Sequence, residues 1–155
     1  EELKTFKQFT VRIRPDEAWA DHPGKYIAYF DNSGKVSSLG GKMKGGYMEV
    51  ATRSLGEFTI KIDSVAPSVK ASNFKDGQSV SALKSLRFKI SDDMTGIETY
   101  DIYLDDVWVL GQYDAKNALL YYEIDEKMKK GTNNVKVVVT DGVGNNKTLK
   151  MKVVY

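Results

Sequence analysis

Apolar and polar residues alternate one by one along most of this chain. In FTVRI, Phe9, Val11 and Ile13 fall on one face and Thr10 and Arg12 on the other. EFTIKID sets Phe58, Ile60 and Ile62 against Thr59 and Lys61, and LRFKIS sets Leu86, Phe88 and Ile90 against Arg87 and Lys89. Near the end, TLKMKVV opposes Leu149, Met151 and Val153 to Lys150 and Lys152. A period of two marks half-buried antiparallel strands, with one face on a core and the other in water. No stretch sustains an i, i+3, i+4, i+7 stripe for a dozen residues. DEKMKK, from Asp125 to Lys130, is the one helix-like candidate, long enough for a turn or two. The fold class is all-β.

The alternation breaks around DSVAPSV, where Pro67 has no amide hydrogen for a ladder and suits an edge or a strand start. Before the break, strands are predicted near 7–13, 25–30, 47–52 and 57–62, with turns at NSGK and LGGKMKGG. After it they are predicted near 68–73, 86–91, 97–104, 107–111, 118–124, 133–140 and 147–154. Seven short strands spaced by turn signals are what an immunoglobulin or fibronectin-type sandwich requires. The pattern therefore predicts two small β domains. The first, 1–64, is expected to pack against the second or to be the truncated end of a larger β domain; the second, 65–155, is a seven-stranded immunoglobulin/fibronectin-III-like sandwich. The chain opens on Glu-Glu rather than Met, so it is expected to be an excised piece of a longer protein.

Composition narrows the chemistry. With 155 residues, 41% hydrophobic and 28% charged, the chain is globular. Its formal charge of +2 is spread over lysines along the whole sequence, and a nucleic-acid partner would need a concentrated basic face. No apolar run approaches the roughly 20 residues that span a bilayer. The absence of cysteine excludes disulfides, thiolate zinc sites and cysteine nucleophiles. A zinc hydrolase needs two or three nitrogen ligands, and the sequence holds one histidine, His22, with no Gly-x-Ser-x-Gly to make it part of a serine triad. The expectation is a chain that is not an enzyme and carries no cofactor; the alternative is a small hydrolase using His22.

Two groups of residues remain as candidates. In VVVTDGVGNN, Asp141 and Asn145 are the only side-chain oxygens close together, too few for an EF-hand loop. They fit a structural corner, hydrogen-bonded to backbone amides. A calcium site would need ligands from elsewhere, for which SDDMTG offers Asp92 and Asp93. The aromatics form the second group: Tyr103, Trp108, Tyr113 and Tyr121 as ligand-binding candidates. If Ile102 and Leu104 face the core, Tyr103 points outward, and if Leu120 and Tyr122 face in, Tyr121 points outward too. Asp105-Asp106 reads as a tight hairpin turn that sets Trp108 across from Tyr103. Exposed rings on a β face stack on sugars or peptides. The structural alternative is that tyrosine and tryptophan favour strands in any case.

At these residues a resemblance enters. DDMTGIETYDIYLDDVWVLGQYDAKNALLYYEID, followed by GTNNVKVVVTDGVGN, resembles the non-catalytic C-terminal β region of bacterial lysostaphin-type (LytM-like) zinc metallopeptidases. The matching positions are Asp93, Gly96, Ile97, Trp108, Tyr113, Asp114, Asp141, Gly144 and Asn145, and the likeness runs from about Leu39 onward. Asp106 stands where the pattern has glycine, and the peptidase's His-x-x-x-Asp and His-x-His zinc motifs do not occur. The resemblance implies an extracytoplasmic accessory module, a spacer that positions an upstream catalytic domain of the same polypeptide. The alternative is an adhesion-type module that binds peptidoglycan or another glycan.

Overall fold

A computed structural model describes residues 4–155. It divides into two compact units. One comprises the residues up to Val65 together with Asp93–Gly96 and Gly142–Asn145; the other comprises Ala66–Asp92, Ile97–Asp141 and Asn146–Tyr155. Strands dominate both, and the regular helical pieces among the described residues are two three-residue turns, Glu17–Trp19 and Ala115–Asn117. No described helix is long and apolar enough to cross a membrane.

The first unit contains β1 (Lys4–Ile13), β2 (Lys25–Phe30), β3 (Val36–Ser38), β4 (Lys42–Lys44), β5 (Tyr47–Ser54) and β6 (Glu57–Ile62). They form two three-stranded antiparallel sheets, in the orders β1-β5-β4 and β3-β2-β6. Ile27, Met48 and Ile60 are buried together, with Val11, Ile13, Leu39, Val50 and Phe58 against them. β2 departs from alternation: Tyr26, Ile27, Ala28 and Tyr29 are all buried, as in a strand covered on both faces. The short strands β3 and β4, outside the predicted set, come from the glycine-rich stretch between β2 and β5. Lys44 pairs with Tyr47 across Gly45-Gly46, both at positive φ, so a two-residue turn closes the β4–β5 hairpin.

The second unit is an immunoglobulin/fibronectin-III-like sandwich. Its strands are β7 (Ser68–Ala71), β8 (Ser85–Ser91), β9 (Ile97–Leu104), β10 (Val107–Val109), β11 (Gln112–Asp114), β12 (Leu119–Glu123), β13 (Thr132–Asp141) and β14 (Asn146–Val154). One sheet runs β10-β9-β13-β14 and the other β11-β12-β8-β7, all antiparallel. The inward residues are the ones alternation selects: Leu86, Phe88 and Ile90 from β8, Val135, Val137 and Val139 from β13, and Ile102, Leu104, Leu120, Tyr122 and Val153 from their neighbours. Phe74 packs edge-on against Phe88.

The strand count is eight rather than seven. The predicted strand 107–111 ends at Val109, and the chain crosses to the other sheet through Leu110-Gly111 before β11. A Cβ at Gly111 would stand 3.0 Å from Leu120 Cδ1 and 3.2 Å from Ile102 Cδ1, so a side chain there would press on both. The helix-like stretch 125–130 is a single turn, with the Met128 amide bonded to the Asp125 carbonyl and the Met128 side chain buried.

Candidate functional site

The Asp105-Asp106 turn is a two-residue hairpin with both residues at positive φ, 47° and 66°. Aspartate tolerates this region better than most side chains, which is why Asp106 can stand in the glycine position. Asp105 Oδ1 accepts the backbone N–H of Asn134 at 2.9 Å and its side-chain amide at 2.8 Å. These two bonds, the backbone one first, hold the Asp105 carboxyl below its usual range. The turn is thereby tied to β13 as well as to its own strands.

With the hairpin so fixed, four residues fall in register across the outer face of the sheet. Trp108 pairs with Tyr103, Tyr103 with Lys136, and Lys136 with Lys150. The Trp108 indole N–H donates to Asp101 Oδ1 at 2.9 Å, drawing the ring along the sheet toward a diagonal neighbour, and half of the residue remains exposed. The Lys136 ammonium lies 4.4 Å from the centre of the Tyr103 ring and 2.9 Å from Asp106 Oδ1. Lys152 faces outward beside Lys150, opposite Asn134. Between the strands lies a groove of about 510 Å³, lined by Asp76, Asp106, Asn134, Lys136, Lys150 and Lys152 and floored by Val135 and Met151. Asp76 is held in place by the Lys152 backbone N–H, which donates to Asp76 Oδ1 at 2.6 Å.

The other candidate aromatics do not join this row. Tyr121 lies on β12, paired with Arg87, with its hydroxyl donating to Gln112 Oε1 at 3.0 Å. It belongs to the opposite sheet, so Tyr103, Trp108 and Tyr121 do not form one patch; a separate groove of about 580 Å³ runs beside Tyr121 along Lys84, Arg87 and Glu123. Tyr113 packs against the core, 5.3 Å from the Tyr100 ring centre. Burial, then the nearby Tyr100 and Asp114, push its phenol up. It is partly buried, and β11 places it in the other sheet, apart from Trp108 and Tyr103. The three lysines are what sequence reasoning missed. Alternation places Lys150 and Lys152 outward, yet only the long-range pairing of β13 with β9 and β14 brings them to the aromatics.

The calcium candidates are divided. Asp92 and Asp141 belong to the sandwich, with carboxylate oxygens within 4.8 Å of each other, and Asp141 is buried where a bulge shifts the β9–β13 register. Asp93 and Asn145 cluster with the first unit. Asp93 is exposed on a groove with Trp19 and Tyr26, while Asn145 donates to the Asp63 carbonyl at 3.2 Å. The same unit holds Asp63 buried, its carboxylate accepting the Thr95 hydroxyl at 2.7 Å and the Val65 N–H at 3.1 Å. TDGVGN is the β13–β14 hairpin loop, closed by the Thr140–Asn146 pair. His22 uses Nδ1 to accept the Gly24 N–H at 3.1 Å, holding a turn.

Residues 3–63 match the family model described as a Zu5-like domain. No curated protein matches the chain. Among solved structures, an endo-beta-1,4-mannanase from Thermotoga petrophila is similar at 13% identity with a TM-score of 0.47, over 59% of this chain and 20% of that one. The chain thus spans about a fifth of the mannanase. Fibronectin(III)-like modules of CbhA from Clostridium thermocellum are similar at 15% identity with a TM-score of 0.46, over 96% of this chain and 85% of theirs.

Proposed function

We propose that this chain is a non-catalytic accessory module of an extracytoplasmic multidomain protein, a spacer that positions a neighbouring catalytic domain. The observation that supports this most directly is how the polar side chains are used. His22 holds the Gly24 turn, Asp114 caps the turn at Asn117, Asp105 ties the hairpin to Asn134, and the Tyr122 hydroxyl is bonded to the Asp125 carboxylate. Burial and that bond drive the Tyr122 phenol far above its ordinary range. Among the described residues, no buried side-chain nitrogen or oxygen lacks a partner. The polar chemistry serves shape, as expected of an element selected for a rigid form.

The parent we propose is a lysostaphin-type zinc peptidase of the cell envelope, on the resemblance of the sequence from Leu39 onward. The test is incubation of the purified chain with muropeptides and zinc, followed by mass spectrometry. The expected result is no cleavage and no change on His22→Ala. Turnover that disappears in His22→Ala would establish the small-hydrolase alternative instead.

A further inference from the structure

We propose that the outer face of the β10-β9-β13-β14 sheet is a binding groove for acidic oligosaccharides, with Trp108 as the stacking ring and Lys150 and Lys152 as the acid-recognising groups. This goes beyond the spacer role and does not rest on it.

The charge arrangement carries the inference. Like charges directly opposite on an antiparallel pair are destabilising, yet Lys136 and Lys150 are opposite and Lys152 shares their face. Lys136 is neutralised by Asp106. Lys150 and Lys152 have no ion pair among the described residues. Asp106 offsets Lys136, and with Asp76 the groove is lined by three lysines and two aspartates, which leaves a small net positive charge there. An anionic ligand would relieve it.

The aromatic end selects what kind of anion. Trp108 is half exposed and its N–H is already bonded to Asp101, so the open surface offers a π-face rather than a donor. Such a surface suits the C–H face of a sugar ring. Tyr103 supports it, its own ring being covered by Lys136. The row from Trp108 to Lys150 crosses three inter-strand steps, about 14 Å, longer than one sugar ring, so the ligand is an oligosaccharide. Beside this row, lined by the lysines and not by Trp108 itself, the groove of about 510 Å³ lies in the range of small-ligand sites.

The carboxylates argue against a polyphosphate. Asp76 and Asp106 stand on the walls of the groove and Asp101 at the edge of Trp108, where they would repel a phosphate chain. Each carboxylate has one oxygen engaged by the protein, Asp76 by the Lys152 amide and Asp106 by Lys136, and a second that can accept a hydroxyl hydrogen. A uronate chain, with one acid group and several hydroxyls per ring, matches both the lysines and the carboxylates.

The experiment is a fluorescence titration of the full chain in the Trp19→Phe background, so that Trp108 alone reports. The probes are hexamers of galacturonic acid and of mannuronic acid, a carboxyl-reduced neutral hexamer, and a hexathymidylate. At low salt, saturable binding of at least one acidic hexamer is expected, with the neutral hexamer at least tenfold weaker. Lys150→Ala, at an exposed position without an ion pair among the described residues, should weaken the acidic hexamer severalfold and leave the neutral one unchanged. Trp108→Ala, followed by calorimetry, should weaken binding about tenfold to a hundredfold, by analogy with base–aromatic stacking; Trp108→Tyr should restore most of it if the alanine variant loses its fold. Binding of neither acidic hexamer, equal binding of acidic and neutral sugars, or an unchanged affinity in Lys150→Ala would each overturn the proposal. Tighter binding of hexathymidylate would reassign the face to nucleic acid.

Discussion

Among the described residues of the first unit, Ile27, Met48 and Ile60 form the buried cluster and β2 also buries Tyr26, Ala28 and Tyr29, whereas fifteen side chains form the cluster of the sandwich. Each fully buried aliphatic or aromatic side chain contributes about 1.5–3 kcal/mol. The same period-two pattern therefore yields cores of very different strength. The difference comes from sheet width. The sandwich opposes two four-stranded sheets, while the first unit spreads its apolar positions over two three-stranded sheets. The face carrying Trp108 and the lysines belongs to the better-cored unit, where the register that defines it is most strongly held.

Removing a core side chain from each unit is the most forceful way to break this contrast. Phe88→Ala should cost about 3–5 kcal/mol, because Phe88 is fully buried against Phe74 between two rigid sheets. Met48→Ala should cost about 2 kcal/mol, at the low end for such a change, since short flanking strands can close around the gap. Denaturant melts of both variants, followed by circular dichroism, measure the difference. Equal losses would remove the contrast.

The turn of the sandwich hairpin gives a sharper and smaller effect. Asp105→Ala removes both bonds to Asn134 and places alanine at positive φ, for an expected loss of about 1–2 kcal/mol. Asp105→Asn keeps the turn and changes the acid response. The Asp105 carboxyl titrates below its ordinary 3.8 because the folded chain hydrogen-bonds the charged form. The unfolded chain takes up this proton first. The stabilisation is thus complete above about pH 4 and is lost as pH falls through the lower folded value. A pH series of melts on Asp105→Asn should show a shallower acid decline than the parent, and an unchanged slope would count against this role.

The smallest effect concerns the lysine row. Lys150→Ala removes a like charge opposite Lys136 and should leave stability unchanged or raise it by a few tenths of a kcal/mol. A thermal melt at low and high salt reads this directly; a loss above about 1 kcal/mol would mean that Lys150 packs as structure.

What the sequence made legible was whatever depends on near neighbours. Alternation in LRFKIS and VKVVV selected the inward residues, and Asp105-Asp106 announced the hairpin that pairs Trp108 with Tyr103. The continuous burial of Tyr26 to Tyr29 was not readable from alternation, because it depends on what covers the second face of β2. The split at Gly111 was hidden for a related reason: the side chains that crowd it, Leu120 and Ile102, are distant in sequence. Tyr121 points outward as alternation predicts, but β11 and β12 lie in the other sheet, so neither it nor Tyr113 joins the Trp108 row, an assignment that no local pattern specifies. The lysine row required the registers of β13 with both its neighbours.

The central claim is that one unit of this chain is a strongly cored sandwich serving as a rigid platform, and that the other is held more lightly. Native-state hydrogen exchange on the intact chain, read by mass spectrometry, tests it most directly. The account predicts the slowest exchange in β8 and β13, around Phe88 and Val137, and exchange in β2 and β5 faster by at least an order of magnitude. Protection of β2 and β5 equal to or greater than that of β8 and β13 would contradict it.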